Sequence, residues 1–120
     1  MSLNVSLVWV PVSDMARSVD FFENTLGLTR LFSSDDWTEF KVGAIHLSLH
    51  GPNHRQGKDR PAPGNGGVVV FRVGDLLTLR GKLEGKGVKF LGTTEEQPYG
   101  LMADFVDPDG NRFQLFQAKH

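Results

Sequence analysis

The sequence predicts an α+β domain. Two strand–helix–three-strand (βαβββ) modules combine into a cupped, open, eight-stranded, barrel-like sheet with the helices outside. Three observations predict it. The first is an internal repeat: "SLVWVPVSDM" in one half is answered by "GVVVFRVGDL" in the other. The second is order: after each of these strands comes one stripe at helical spacing and then three short alternating segments. The third is the stretch between the halves, "GPNHRQGKDRPAPGNG", which has almost no apolar side chain and is punctuated by Pro and Gly, the composition of a linker. The chain of 120 residues, one domain's length, thus divides into module 1 (about 4–50), a linker (51–66) and module 2 (about 67–118).

In module 1, Val8, Val10 and Val12 share one strand face and Leu7, Trp9 and Pro11 the other. Ser13 or Asp14 caps the following helix, Met15, Val19, Phe22 and Leu26 form its apolar stripe, and Gly27 stops it. Strands follow at about 29–33, 37–42 and 44–50. In module 2 the helix turns Leu76, Leu79 and Leu83 inward and ends at Gly87. Gly81 and Gly85 weaken it, each by about 1 kcal/mol relative to Ala. "VKFLGTTEE", "YGLMADFVD" and "NRFQLFQ" are its three strands, and Asp107 to Asn111 make the last tight turn, with Pro108 presetting φ and Gly110 supplying a positive one. Each helix covers one face of its own small sheet. The other faces are expected to curl side by side round a shared concavity, the default ligand site.

Composition narrows the function classes. Lys+Arg is 13 against Asp+Glu 14, so no basic face is offered to nucleic acid. No apolar run is long enough to cross a bilayer, so no membrane partner is expected. Without cysteine, disulfides, thiolate metal sites and cysteine nucleophiles are excluded. No charged segment followed by an apolar stretch opens the chain, and a cytoplasmic location is expected. "GNGG" lacks the Lys-Ser/Thr of a phosphate loop, and "DPDGN" lacks the spacing and final Glu of a calcium loop.

"VSDMARSVDFFENTLGLTRLF" near the start and "DPDGNRFQLF" at the end together resemble the vicinal oxygen chelate superfamily. It includes glyoxalase I, extradiol dioxygenases, methylmalonyl-CoA epimerase, fosfomycin-modifying enzymes and bleomycin-binding proteins. The resemblance spans essentially the whole chain and implies the fold more than the function, since enzymes and pure binders share it. The family's metal enzymes hold one divalent ion with four strand residues. The resemblance puts those positions at Leu7, His46, Val68 and Gln114 of this chain. Leu7 and Val68 cannot donate to a metal, and Gln114 is an amide where the family usually carries a glutamate. The usual metal site is therefore expected to be absent, and with it the carboxylate that moves the proton in the family's lyases and isomerases.

Candidate site residues lie on the strand faces turned away from the helices. His46, Ser48 and His50 alternate with Ile45, Leu47 and Leu49. His46 is either a hydrogen-bonded lining residue, with Gln114 as the neighbour expected for it, or a lone general base. Trp37, Glu39 and Lys41 share that face, as does Trp9. The two tryptophans either stack on a planar ligand or fill a dimer contact. Val70, Met102 and Phe116 extend the apolar lining, or simply pack. Glu39 and Asp104 are candidates to orient a ligand's polar group, whereas Arg72 is read as a solvated strand end. His54, Arg55, Lys58 and Arg60 in the linker either attract an anion or are merely solvated.

These residues point first to a metal-free, cofactor-free small-molecule binding protein of the sequestering, bleomycin-resistance-like type. Its expected ligand is planar or aromatic, with Glu39 and Asp104 available to a cation. The resemblance also implies a homodimer, because pockets in that group form with a second chain. The alternative is a glyoxalase-like, metal-dependent lyase, isomerase or dioxygenase with a rearranged site, using Glu39, His46, His50 or Gln114. A metal-free enzyme with His46 or Glu39 as base is a third possibility.

Overall fold

The computed structural model describes residues 5–53 and 61–119. The basic linker residues His54, Arg55, Lys58 and Arg60 lie outside the described residues. The chain divides into two compact units at Gly66/Gly67. Each has the βαβββ order that the repeat predicts.

The first unit runs β1 (Leu7–Pro11), α1 (Met15–Asp20), β2 (Thr29–Ser33), β3 (Trp37–Val42) and β4 (Ile45–His50). Its mixed four-stranded sheet has the order β1-β4-β3-β2, with β1 parallel to β4 and the other pairs antiparallel. The cap is Asp14, whose carboxylate accepts from the Arg17 amide at 3.1 Å. The helix differs from the expected regular stripe: after Asp20 it widens into a π-helical stretch, Phe21–Thr25, in which the Leu26 amide reaches the Phe21 carbonyl at 2.9 Å. The extra residue in that turn advances the phase, so Phe22 is completely buried while Leu26 is only half-buried. Val10, Val12, Phe40, Leu47 and Leu49 complete this core. The Phe22 ring sits 5.9 Å from that of Phe40. Thr38, fully buried on the helix side, donates to the Met15 sulfur at 3.2 Å.

The second unit runs β5 (Val69–Arg72), α2 (Leu76–Gly85), β6 (Lys89–Gln97), β7 (Gly100–Val106) and β8 (Arg112–Ala118), with sheet order β5-β8-β7-β6. Phe71, Phe105 and Phe113 form its centre, stacked with centroids 5.5–6.5 Å apart. Among the inward leucines of α2, Leu76 and Leu83 are buried and Leu79 is half-buried. Arg80 reinforces this modest face. Its guanidinium lies 4.6 Å from the Phe90 ring centroid and donates to the Gly92 carbonyl at 2.8 Å and the Thr94 hydroxyl at 3.1 Å. The β7–β8 turn closes on Asp107, whose carboxylate accepts from the amides of Asp109 and Asn111 and from the Asn111 side chain, each at 2.9 Å. Gly110 supplies the positive φ, 82°.

Candidate functional site

Sheet pairing in the first unit sets the side chains of the helix-free face in rows. Trp9, Ser48 and Glu39 are direct neighbours across β1, β4 and β3, with Phe32 beyond them on β2. One step along lie Pro11, His50 and Trp37; one step the other way lie Leu7, His46 and Lys41. The alternation read from sequence therefore brings Trp9, Trp37, Glu39, His46 and Ser48 together on one face.

The aromatic part centres on His50, buried at 3% exposure. Its ring lies 4.5 Å from Trp9 and 5.5 Å from Trp37, and its Nδ1 donates to the Gly51 carbonyl at 3.1 Å. Trp9 keeps 36% of its surface exposed, an aromatic flank open to a planar partner. Sequence reasoning placed His50 on this face but not at the centre of an aromatic triplet. Its strand-end position, opposite Trp37, is the signal that pairing supplies.

The polar part centres on Glu39. The Trp37 indole N–H donates to one carboxylate oxygen at 3.0 Å, and His46 Nδ1 lies 2.7 Å from the other. The indole bond is the main cause holding the Glu39 carboxyl below the usual range, outweighing the opposing effect of burial, with His46 adding to it. Glu39 is well covered (15% exposed), whereas His46 keeps 41% of its side chain open. Ser48, directly across from Glu39, is completely buried, and among the described residues its hydroxyl is the buried side-chain polar group with no hydrogen-bond partner. It adds the smallest of the effects that lower the Glu39 pKa but falls short of hydrogen-bond geometry.

The second unit repeats the scheme with different residues. Val70, Gln114, Asp104 and Leu91 form one row, and Arg72, Phe116, Met102 and Glu95 the next. The Asp104 carboxylate accepts from the Gln114 amide at 2.8 Å and from the Arg112 guanidinium. Here the structure departs from expectation. The neighbour anticipated for Gln114 was His46, but each finds its partner on its own sheet, Asp104 for the amide and Glu39 for the imidazole. Strand register alone brings each of these pairs together, Asp104 directly opposite Gln114 on neighbouring strands and Glu39 one step from His46 on the same face. Register also shows that the pairing counterpart of Gln114 is Ser48, while His46 corresponds to Arg112. A two-residue offset leaves the strand face unchanged, which is why counting along the sequence did not reveal it. Both acids already carry donors: Glu39 accepts from Trp37 and lies against His46, and Asp104 accepts from Gln114 and Arg112. Arg112, unremarked in the sequence, is the residue that neutralises Asp104. Arg72 and Val70 are exposed, Met102 and Phe116 half-covered.

The family's divalent ion does not fit this donor set. Leu7 and Val68 are hydrocarbon, so only His46 Nε2 and the neutral Gln114 carbonyl oxygen remain as donors among the four positions, too few for a divalent ion. Among the described residues no group of three or more His, Cys, Asp or Glu is disposed to hold a metal. A groove of about 360 Å³ lies elsewhere, on the helix side of the second sheet, lined by Leu77, Glu96, Gln97, Leu101, Gln117 and Lys119. It brings no candidate residue with it.

This fold has relatives. The chain belongs to the Glyoxalase/Bleomycin resistance protein/Dioxygenase superfamily, whose family model matches residues 4–115. Among solved structures it is similar to TnmS3, an antibiotic binding protein from Streptomyces sp. CB03234, at 29% identity, 98% coverage of both chains and a TM-score of 0.82. It is similar at 25% identity to a superfamily member from Sphaerobacter thermophilus DSM 20745, covering 97% of this chain and 98% of that one with a TM-score of 0.80. A lactoylglutathione lyase from Agrobacterium tumefaciens, 17% identical over 95% of this chain and 92% of that one at a TM-score of 0.77, shares the fold. Among curated proteins, none matches. No helix among the described residues is long and apolar enough to cross a membrane.

Proposed function

We propose that this protein binds planar aromatic small molecules and holds them without metal, cofactor or covalent chemistry, as a cytoplasmic homodimer of the sequestering type. The observation that carries the reading is the Trp9–His50–Trp37 cluster, on the sheet face turned away from α1, with the Trp9 ring partly exposed. Stacking on such a surface is favourable for any flat apolar ligand. The likeness to an antibiotic binding protein over nearly the full length of both chains supports it. The metal-dependent alternative is disfavoured by donor chemistry, since hydrocarbon side chains stand at Leu7 and Val68.

Titration with a panel of aromatic compounds, antibiotics included, followed by tryptophan emission, tests the reading. Saturable quenching that survives chelator treatment, and that falls at least tenfold in affinity in Trp9→Ala, is expected. A stoichiometric divalent metal retained through dialysis, or emission unchanged across the panel, contradicts it. Sedimentation of the purified chain at twice the monomer mass is the companion expectation.

A further inference from the structure

Glu39 connects a residue that can only donate to one that can do either. Indole N–H has no acceptor function, so the Glu39 oxygen 3.0 Å from Trp37 must accept. The other oxygen of an ionised carboxylate also accepts only, and His46 Nδ1 lies 2.7 Å from it. Nδ1 must therefore carry a proton. In the neutral ring this leaves Nε2 as a bare lone pair. The ring keeps 41% of its surface open, on the same face and one step along β4 from the row that holds Trp9. The direction of every bond in the chain Trp37→Glu39←His46 is thus set by its first member.

We propose that His46 Nε2 is a hydrogen-bond acceptor for the ligand, its tautomer fixed through Glu39 by the donor-only indole of Trp37, so that the site selects aromatic molecules bearing a hydroxyl or similar donor. The inference rests on the aromatic-binding reading above and adds the polarity of the ligand to it. Lys41, the neighbour of His46 across the strands, is exposed and offers only further donors. No ligand acceptor is served by Nε2 while Glu39 stays ionised and the ring neutral.

Glu39→Gln makes the test sharp, because Trp37 still demands an oxygen. The new amide must present its carbonyl to the indole and its NH2 to His46 Nδ1. That forces Nδ1 to accept and moves the ring proton to Nε2. The site should then prefer acceptors.

The experiment is calorimetric titration of the full chain with naphthol, methoxynaphthalene and acetylnaphthalene at mildly alkaline pH, above the ordinary histidine range. With the native chain, naphthol should bind roughly threefold to tenfold tighter than either of the others, the worth of one neutral hydrogen bond. In Glu39→Gln the order should invert in favour of acetylnaphthalene, and in His46→Phe the three should bind alike. Ring ¹⁵N shifts of His46 give a readout independent of binding: Nδ1 protonated in the native chain, Nε2 protonated in Glu39→Gln. Equal affinities in the native chain, or an Nε2–H tautomer there, overturn the proposal while leaving the aromatic-binding reading intact. Binding of none of the three overturns both.

Discussion

Individual side chains on the strand faces carry both the binding claim and its electrostatics. Glu39 is held ionised chiefly by the Trp37 indole, then by His46. A carboxylate with a lowered folded pKa stabilises the fold above its unfolded value and loses that contribution as pH falls through the folded one. The stability gap between the native chain and Glu39→Gln should accordingly be present at neutral pH and close as pH drops below the ordinary glutamate value of 4.5, followed by urea melts across pH. Asp107 has the opposite sign. Burial pushes its carboxyl up despite three hydrogen bonds, so its ionisation costs stability as pH rises above 3.8. Ser48 is a third case. Its buried hydroxyl has no partner among the described residues, so Ser48→Ala deletes no hydrogen bond and should leave stability within about 1 kcal/mol of native in the same melts.

At the scale of elements, the repeat was legible because capping and turn chemistry are local. "VSD" and "VGD" place Asp14 and Asp75 at the two helix starts, and both cap, each accepting from the amide three residues on. "DPDGN" closes the β7–β8 turn as its composition predicts. What was not legible depends on contacts that periodicity does not encode: the π-helical turn at Phe21–Thr25, the Arg80 clamp of helix on strand at Phe90, and the cross-strand Asp104–Arg112 pair. The candidate site divides the same way. Alternation put Trp9, Trp37, Glu39, His46 and Ser48 on one face, but only register showed that Glu39 joins Trp37 to His46. Gly100 belongs here too. A Cβ at this position would meet the Gln117 carbonyl at 2.1 Å, a contact with backbone that no rotamer relieves. Gly100→Ala should destabilise by about 2 kcal/mol or more through the β7–β8 pairing, read as a lowered thermal midpoint.

For the molecule as a whole, both units carry the βαβββ order, and of the four positions that the resemblance assigns to a metal, Leu7 and Val68 are hydrocarbon while His46 and Gln114 are bound to neighbouring acids. The first unit presents an aromatic triplet and a Trp37–Glu39–His46 hydrogen-bond chain on one sheet face. Removing the aromatic surface and removing the hydrogen-bond chain should separate. Trp9→Ala weakens every aromatic ligand alike, whereas His46→Phe removes only the discrimination between donors and acceptors.

The most direct single measurement is an NMR titration of the full chain with naphthol in the presence of a metal chelator. Saturable shifts centred on the indole resonances of Trp9 and Trp37 and the ring of His46 are the predicted result. Shifts confined to the groove around Leu77 and Gln117, or binding abolished by the chelator, would contradict the assignment of a metal-free aromatic site to this face.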